Sequence, residues 1–241
     1  MTAVSDFMKL LRQGCSELFA DHPGRMDSGE LIPSPNMIDP QDVELFFAGV
    51  EAELITVHRG ARFNTRDRPI LGGHWGLLSR ARAGGWYNAE YLPQLAAYVE
   101  AILEYGYPQE RVLFELPFSA LQLDLAVIDD SSQVIVVGEA KRSTMALIAL
   151  RQRVLERFSD RPPGEETKKR GDEARQLAWR LWTVSPRLTW LIGPGHREAY
   201  ETSLWPLRLS ARPTLPHARE LGLEHAPAEP IAMPKLLIEG T

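Results

Sequence analysis

The period of the apolar positions changes along the chain, and each change marks an element. Val4, Phe7, Met8, Leu10, Leu11, Leu18 and Phe19 fall on or near one side of a helix over residues 4–20. The stretch from Asp21 to Pro40 contains four prolines and two glycines and reads as a loop or linker. Residues 41–57 read as a helix followed by a strand, with Pro40 suited to the helix start. Residues 58–74 place Arg59, Arg62, Arg66 and Arg68 in a turn-rich setting, which fits either a phosphate-facing loop or an ordinary exposed connection. The strongest helix of the front half covers residues 89–105, where Leu92, Leu95, Ala96, Val99, Ile102 and Leu103 form a stripe that Gly106 and Pro108 terminate.

After that helix the period shortens. Residues 111–117, 121–128 and 133–141 are rich in Val, Leu and Ile and read as strands, the last two joined by the turn residues Asp129-Asp130-Ser131-Ser132. Helices follow over 143–158 and 165–183, split by Arg161-Pro162-Pro163-Gly164. A strand over 188–193 stops at Gly193-Pro194-Gly195, residues 196–204 read as a short helix, and the tail beyond Trp205, with six prolines, reads as a surface segment. A hairpin followed by a helical crossover and another strand predicts an α/β fold, a mixed central sheet flanked by helices, with strand 133–141 near its centre. The expected organisation is an irregular, partly helical accessory segment over 1–88, a core over 89–205 and a Pro-rich tail over 206–241.

Composition narrows the class. Apolar residues make up 44% and charged residues 24% of the 241, the usual balance of a globular chain. No apolar run approaches the ~18 residues of a membrane span, and the first twenty residues lack the apolar core of a signal peptide. The single cysteine, Cys15, excludes an intrachain disulfide and a cysteine-based zinc cluster. These features fit a cytoplasmic protein with no membrane partner. The net charge of −5 is unevenly spread. Residues 1–140 hold 10 Lys and Arg against 20 Asp and Glu, whereas residues 141–187 hold 12 against 6. The basic segment is either a patch for a polyanion or a solvated helical face.

The charged residues of the hairpin carry the chemistry. With a two-residue turn at Asp130-Ser131, Asp124 stands opposite Val137, and strand alternation puts Glu139 and Lys141 on the same face. Asp124 and Glu139 then become diagonal neighbours that one hard divalent cation could bridge, with Lys141 one pleat beyond to orient a water or hold a phosphoryl oxygen. A bulge adding one residue would separate the two carboxylates onto opposite faces. The alternative is a strand that ends at Gly138, with Glu139 and Lys141 leaving the sheet for solvent.

Leu123-Asp124-Leu125-Ala126, fourteen intervening residues and then Gly138-Glu139-Ala140-Lys141 resemble the PD-(D/E)XK nuclease superfamily. Leu123 stands where the named proline would be. The resemblance implies a restriction-endonuclease-like αβββαβ core over about residues 89–193 and a Mg²⁺-dependent nuclease, with Mn²⁺ as substitute. It assigns catalysis to Asp124, Glu139 and Lys141. It assigns metal ligation to Asp124, Glu139 and the carbonyl of Ala140, with Glu100 preferred over Glu104 as an acid from the preceding helix. It also points to nucleic acid, DNA ahead of RNA, as the partner of Arg142, Lys168, Lys169, Arg170, Arg175 and Gln176. Arg175 and Gln176 resemble polar residues that some members project towards the site. The other reading of the same fold is a catalytically silent scaffold or binding subunit, with the acidic N-terminal half as a protein-contact surface. A small-molecule phosphoesterase is more remote.

Overall fold

A computed structural model describes residues 2–20, 32–69, 73–81, 84–116, 122–164 and 171–227. The chain forms two compact units, Met1–Val99 and Glu100–Thr241. Among the described residues no helix is long and apolar enough to cross a membrane.

The first unit opens with helices α1 (Ala3–Ala20) and α2 (Pro40–Glu51). Asp39 caps α2 by accepting from the amides of Gln41 and Asp42, which satisfies donors that have no partner within the helix. Phe7 of α1 meets Phe46 of α2 edge to face at 5.3 Å, and Cys15 is buried. The small antiparallel sheet β1 (Ile55–His58), β2 (Arg62–Thr65) and β3 (Trp75–Gly76) follows, then the hairpin β4 (Leu78–Ala81) and β5 (Gly84–Tyr87). Part of the expected 58–74 connection is therefore strand. Arg62 spans it by donating to the Gly73 carbonyl at 2.8 Å. Helix α3 (Tyr91–Leu103) contains the division between the units.

The second unit holds β6 (Val112–Leu116), β7 (Leu123–Ile128), β8 (Val134–Ala140), α4 (Thr144–Phe158), α5 (Glu173–Val184), β9 (Leu188–Gly193), β10 (His196–Ser203) and β11 (Arg208–Arg212). These strands form one sheet of six in the order β11-β10-β9-β8-β7-β6. Every pairing is antiparallel except β8 with β9, the two strands joined through α4 and α5. β8 is buried along its whole length, as an apolar strand covered on both faces must be. Leu147, Leu150 and Val154 of α4 and Leu177, Ala178 and Leu181 of α5 pack with Leu113, Ala126, Val137 and Leu191 of the sheet in one core. The coarse expectation of a mixed sheet flanked by helices is thus met.

Three expectations need correction. Residues 196–204 are not a helix. The turn at Pro194-Gly195 sends the chain back along β9, and β10 gains ladder partners on both sides, which outweighs local helix propensity. The tail also joins the fold: β11 extends the sheet, Leu215, Ala218 and Leu223 are buried, and Tyr107 donates to the Pro216 carbonyl at 2.7 Å.

The third correction concerns the β7–β8 register. The turn closes from Asp129 to Gln133, one residue longer than a two-residue turn would make it. A bulge between Val127 and Ile128 adds a second residue, so Ala126 and not Asp124 lies opposite Val137. The two insertions together shift the strand by an even number. Side-chain faces are preserved, and continuing the register brings Asp124 directly across from Glu139.

Gly138 makes this register possible. A Cβ built there would lie 2.7 Å from Leu125 Cβ and 3.3 Å from Ile192 Cδ1, and the first of these belongs to a paired strand that cannot move aside. Gly138→Ala is expected to destabilise the chain by about 1–3 kcal/mol, the usual range for overpacking a core. Urea unfolding checks it, and an unchanged midpoint would contradict the close approach.

Candidate functional site

The ends of three strands and one flank of α5 build the site. Glu139 and Lys141 follow the apolar run Val134–Val137 and stay inside the protein, at 3% and 7% exposure. They do not leave the sheet for solvent. The Lys141 amide donates to the Ile192 carbonyl at 2.9 Å, so the parallel ladder with β9 holds the backbone in place beyond the end of β8. Ser143 then caps α4 by accepting from the Ala146 amide.

A buried carboxylate needs compensation, and Glu139 has it at both oxygens. Lys141 Nζ lies 2.9 Å from its Oε1, and Arg180 Nη1 of α5 donates to its Oε2. Lys141 is also 4.0 Å from Glu173 Oε1 at the first turn of α5. Asp124 is only partly buried, and its Oδ2 accepts from the Ala140 amide at 2.7 Å. Desolvation, and then the Glu139 carboxylate, push the Asp124 carboxyl well above its usual range against the pull of Arg180 and Lys141. For Glu139, burial acts in the same upward direction, but Arg180 and Lys141 outweigh it and hold the carboxyl below its ordinary value. The two acids are thus shifted in opposite directions side by side, a pattern that recurs at functional sites.

Glu115 of β6 belongs to the same group. Leu113 pairs with Ala126 and Phe114 with Leu125, which places Glu115 across from Asp124. Its φ of 46° lies in the left-handed region, a costly conformation for a glutamate inside a strand. The charge of Glu115 is felt by both Asp124 and Arg180.

The structure therefore brings Asp124, Glu139, Ala140 and Lys141 together. It places Glu100 differently: that carboxylate is buried and accepts from Arg197 Nε of β10 at 2.9 Å. Among the described residues no three His, Cys, Asp or Glu side chains are arranged to hold a metal ion. Asp124 and Glu139 supply hard oxygen donors at one spot. That suits a cation such as Mg²⁺, which takes one or two protein carboxylates and leaves its other positions to water and phosphate, and does not suit a cage closed by protein alone.

The cations of the crossover helices are less free than their number in the sequence implies. Arg151 pairs with Glu198 at 2.6 Å, Arg157 binds both oxygens of Asp172, and Arg153 lies 3.9 Å from Glu173. Arg142 is exposed next to Lys141. Lys168, Lys169 and Arg170 lie outside the described residues. Arg175 and Gln176 sit in the first turns of α5, where the Arg175 amide donates to the capping Asp172. Arg180 is the helix residue that reaches the carboxylates, whereas the sequence reading placed it only among the phosphate-neutralising cations of the second crossover helix. Five helical positions separate Arg175 from Arg180, about 140° on the helix, so they border opposite edges of the stripe Ala174-Leu177-Ala178-Leu181. Glu173 and Arg180, seven apart, share one edge, and that spacing was available as a signal. Nothing in the sequence marks Glu115, because its placement comes from the β6–β7 register.

No family model, curated protein or solved structure matches the chain.

The raised Asp124 carboxyl has a consequence for stability. A carboxyl whose folded pKa exceeds its unfolded value contributes stability below the unfolded pKa and loses it as pH rises through the folded one. Asp124→Asn cannot ionise and can still accept from the Ala140 amide. In chelator, the variant is expected to gain stability over the wild type as pH rises from acid to neutral. Thermal unfolding across that range measures the difference, and one that fails to grow with pH would count against the crowding of the two acids.

Proposed function

We propose that the chain is a divalent-metal-dependent nuclease on a restriction-endonuclease-like core, as its resemblance to the PD-(D/E)XK superfamily implies. One observation carries this reading. Asp124, Glu139 and Lys141 gather on one sheet face at the end of β8, with the first two carboxylates forced together. The order α3, β6, β7, β8, α4 and α5, β9 supports it. Asp124, Glu139 and the Ala140 carbonyl would hold the ion. When bound, that ion polarises a phosphodiester and stabilises the charge that develops on it. Lys141, fixed through its backbone amide, places an ammonium beside the carboxylates, where it orients the attacking water and steadies a phosphoryl oxygen. Arg142, exposed and next to Lys141 in sequence, would offer a contact to a neighbouring phosphate. DNA is the expected substrate ahead of RNA.

A second reading, a silent binding subunit on the same core, draws on one feature. Both oxygens of Glu139 are already held by cations, as they would be in a site that never takes a metal.

Incubation with Mg²⁺ or Mn²⁺ and a panel of supercoiled plasmid, linear duplex, single-stranded DNA and RNA tests the proposal. The wild type is expected to cleave at least one member. Asp124→Asn is expected to lose cleavage, and Lys141→Ala to lose on the order of 10²–10³-fold, the range for removing one group that stabilises developing charge. Cleavage retained by Asp124→Asn would reject the assignment. Mn²⁺ is also expected to raise the melting temperature of the wild type, because a ligand that binds only the folded state stabilises it. A chain silent to Mg²⁺, Mn²⁺ and Ca²⁺ alike favours the binding subunit.

A further inference from the structure

The metal-dependent reading gives Arg180 no role, yet Arg180 is the group from α5 that holds the buried Glu139. Its side chain is 11% exposed, and its charge faces Glu139, Asp124 and Glu115 together. A divalent ion seated on Asp124 and Glu139 would meet a guanidinium on the same carboxylate. Lys141 and Arg180 already occupy the two oxygens of Glu139, so an ion that ligates this carboxylate has to take the place of one of them. Lys141 sits two residues from Glu139 at the same strand end, with its backbone bonded to β9. Arg180 reaches Glu139 from a different element along a long side chain. A guanidinium does not lose its proton, and its planar fork matches the oxygens of a phosphate as well as those of a carboxylate.

We propose that Arg180 is a tethered counter-cation: it holds Glu139 while no metal is bound, competes with the metal for that carboxylate, and when displaced becomes a ligand for the substrate phosphate. This rests on the metal-dependent reading and adds a control to it. The ion pair keeps the Glu139 carboxylate in place while the site is empty. Metal and nucleic acid then bind with positive coupling, because the arriving ion frees the residue that grips the phosphate. The same pairing that suits a silent site becomes the resting state of an active one.

The test uses the full chain as wild type, Arg180→Met and Arg180→Lys. Mn²⁺ binding is measured by calorimetry and by thermal shift, and duplex DNA binding is measured with and without Ca²⁺. Arg180→Met is expected to bind Mn²⁺ at least roughly fivefold more tightly than wild type, the lower end of ordinary coupling between sites. It is also expected to show the larger thermal shift and to lack the Ca²⁺-dependent gain in DNA affinity that is expected of the wild type. Arg180→Lys, which keeps the charge, is expected to fall between the two in Mn²⁺ affinity. If the methionine variant does not fold, Arg180→Gln takes its place with the same expectation. A folded charge-removing variant that binds Mn²⁺ no better than wild type overturns the competition while leaving the metal-dependent reading intact. Wild type and variant both failing to bind any of these ions overturns the two together. A Ca²⁺-dependent gain in DNA affinity that survives the charge removal overturns the transfer to phosphate.

Discussion

An ionised carboxylate kept almost out of water at the end of an apolar strand is the constraint on which the rest of the second unit turns. Glu139 is 3% exposed and follows four apolar residues of β8. Placing a charge there costs several kcal/mol before any partner is counted. Lys141 and Arg180 offset that cost, and they come from different elements. Lys141 is held by the parallel ladder between β8 and β9, and Arg180 by the packing of α5 on the sheet. Removing either partner would leave a buried charge partly uncompensated, which is more damaging than losing an equivalent surface pair. The ion pairs therefore tie the helical crossover to the strand it connects.

The sheet topology explains why the acids meet where they do. Among the described residues β8 and β9 are the only parallel pair, and α4 and α5 of the crossover between them pack on one face. In such arrangements ligands gather outside the carboxyl ends of the strands, where the backbone leaves the sheet and side chains reach open space. β7 runs antiparallel to β8, so the start of β7 and the end of β8 coincide, bringing Asp124 to Glu139. β6 ends at the same place and adds Glu115, whose left-handed backbone departs from regular pairing there. Three carboxylates thus line up across three adjacent strands beneath one arginine. Burial, and then the neighbouring Glu139 carboxylate, push the Asp124 carboxyl up within this row.

Much of this was legible in the sequence, for identifiable reasons. The strands over 112–116, 123–128, 134–140 and 188–193 follow from short Val, Leu and Ile runs bounded by turn residues, and α3 follows from its stripe. The pairing of Asp124 with Glu139 survived two local errors, a longer turn and a bulge, because together they preserve strand parity. Neither could be read from Asp129-Asp130-Ser131-Ser132, which fits more than one turn. β10 was hidden because its charged residues, from His196 to Glu198, resemble a helical surface, and only its two strand neighbours make it a strand. Glu100 looked like a site residue from its place beside an apolar stripe. Its actual partner, Arg197, lies almost a hundred positions away, on a strand that local pattern did not reveal.

The basic segment shows why sequence charge is not surface charge. Residues 141–187 carry twice as many cations as acids, yet several of those cations are used internally. Arg157 ties to the residue that caps α5, Arg151 fastens α4 to β10 through Glu198, and Arg180 is spent on Glu139. Each of these pairs fixes an element that positions the site. A polyanion approaching this face therefore meets a smaller set of cations than the sequence count implies, with Arg142, next to Lys141 in sequence, among the exposed ones. Phosphate contacts govern affinity and register without reading sequence. Under the proposed reading, fewer such contacts leave more of the discrimination to the site itself, where a phosphate would meet Lys141 and the Arg180 released from Glu139.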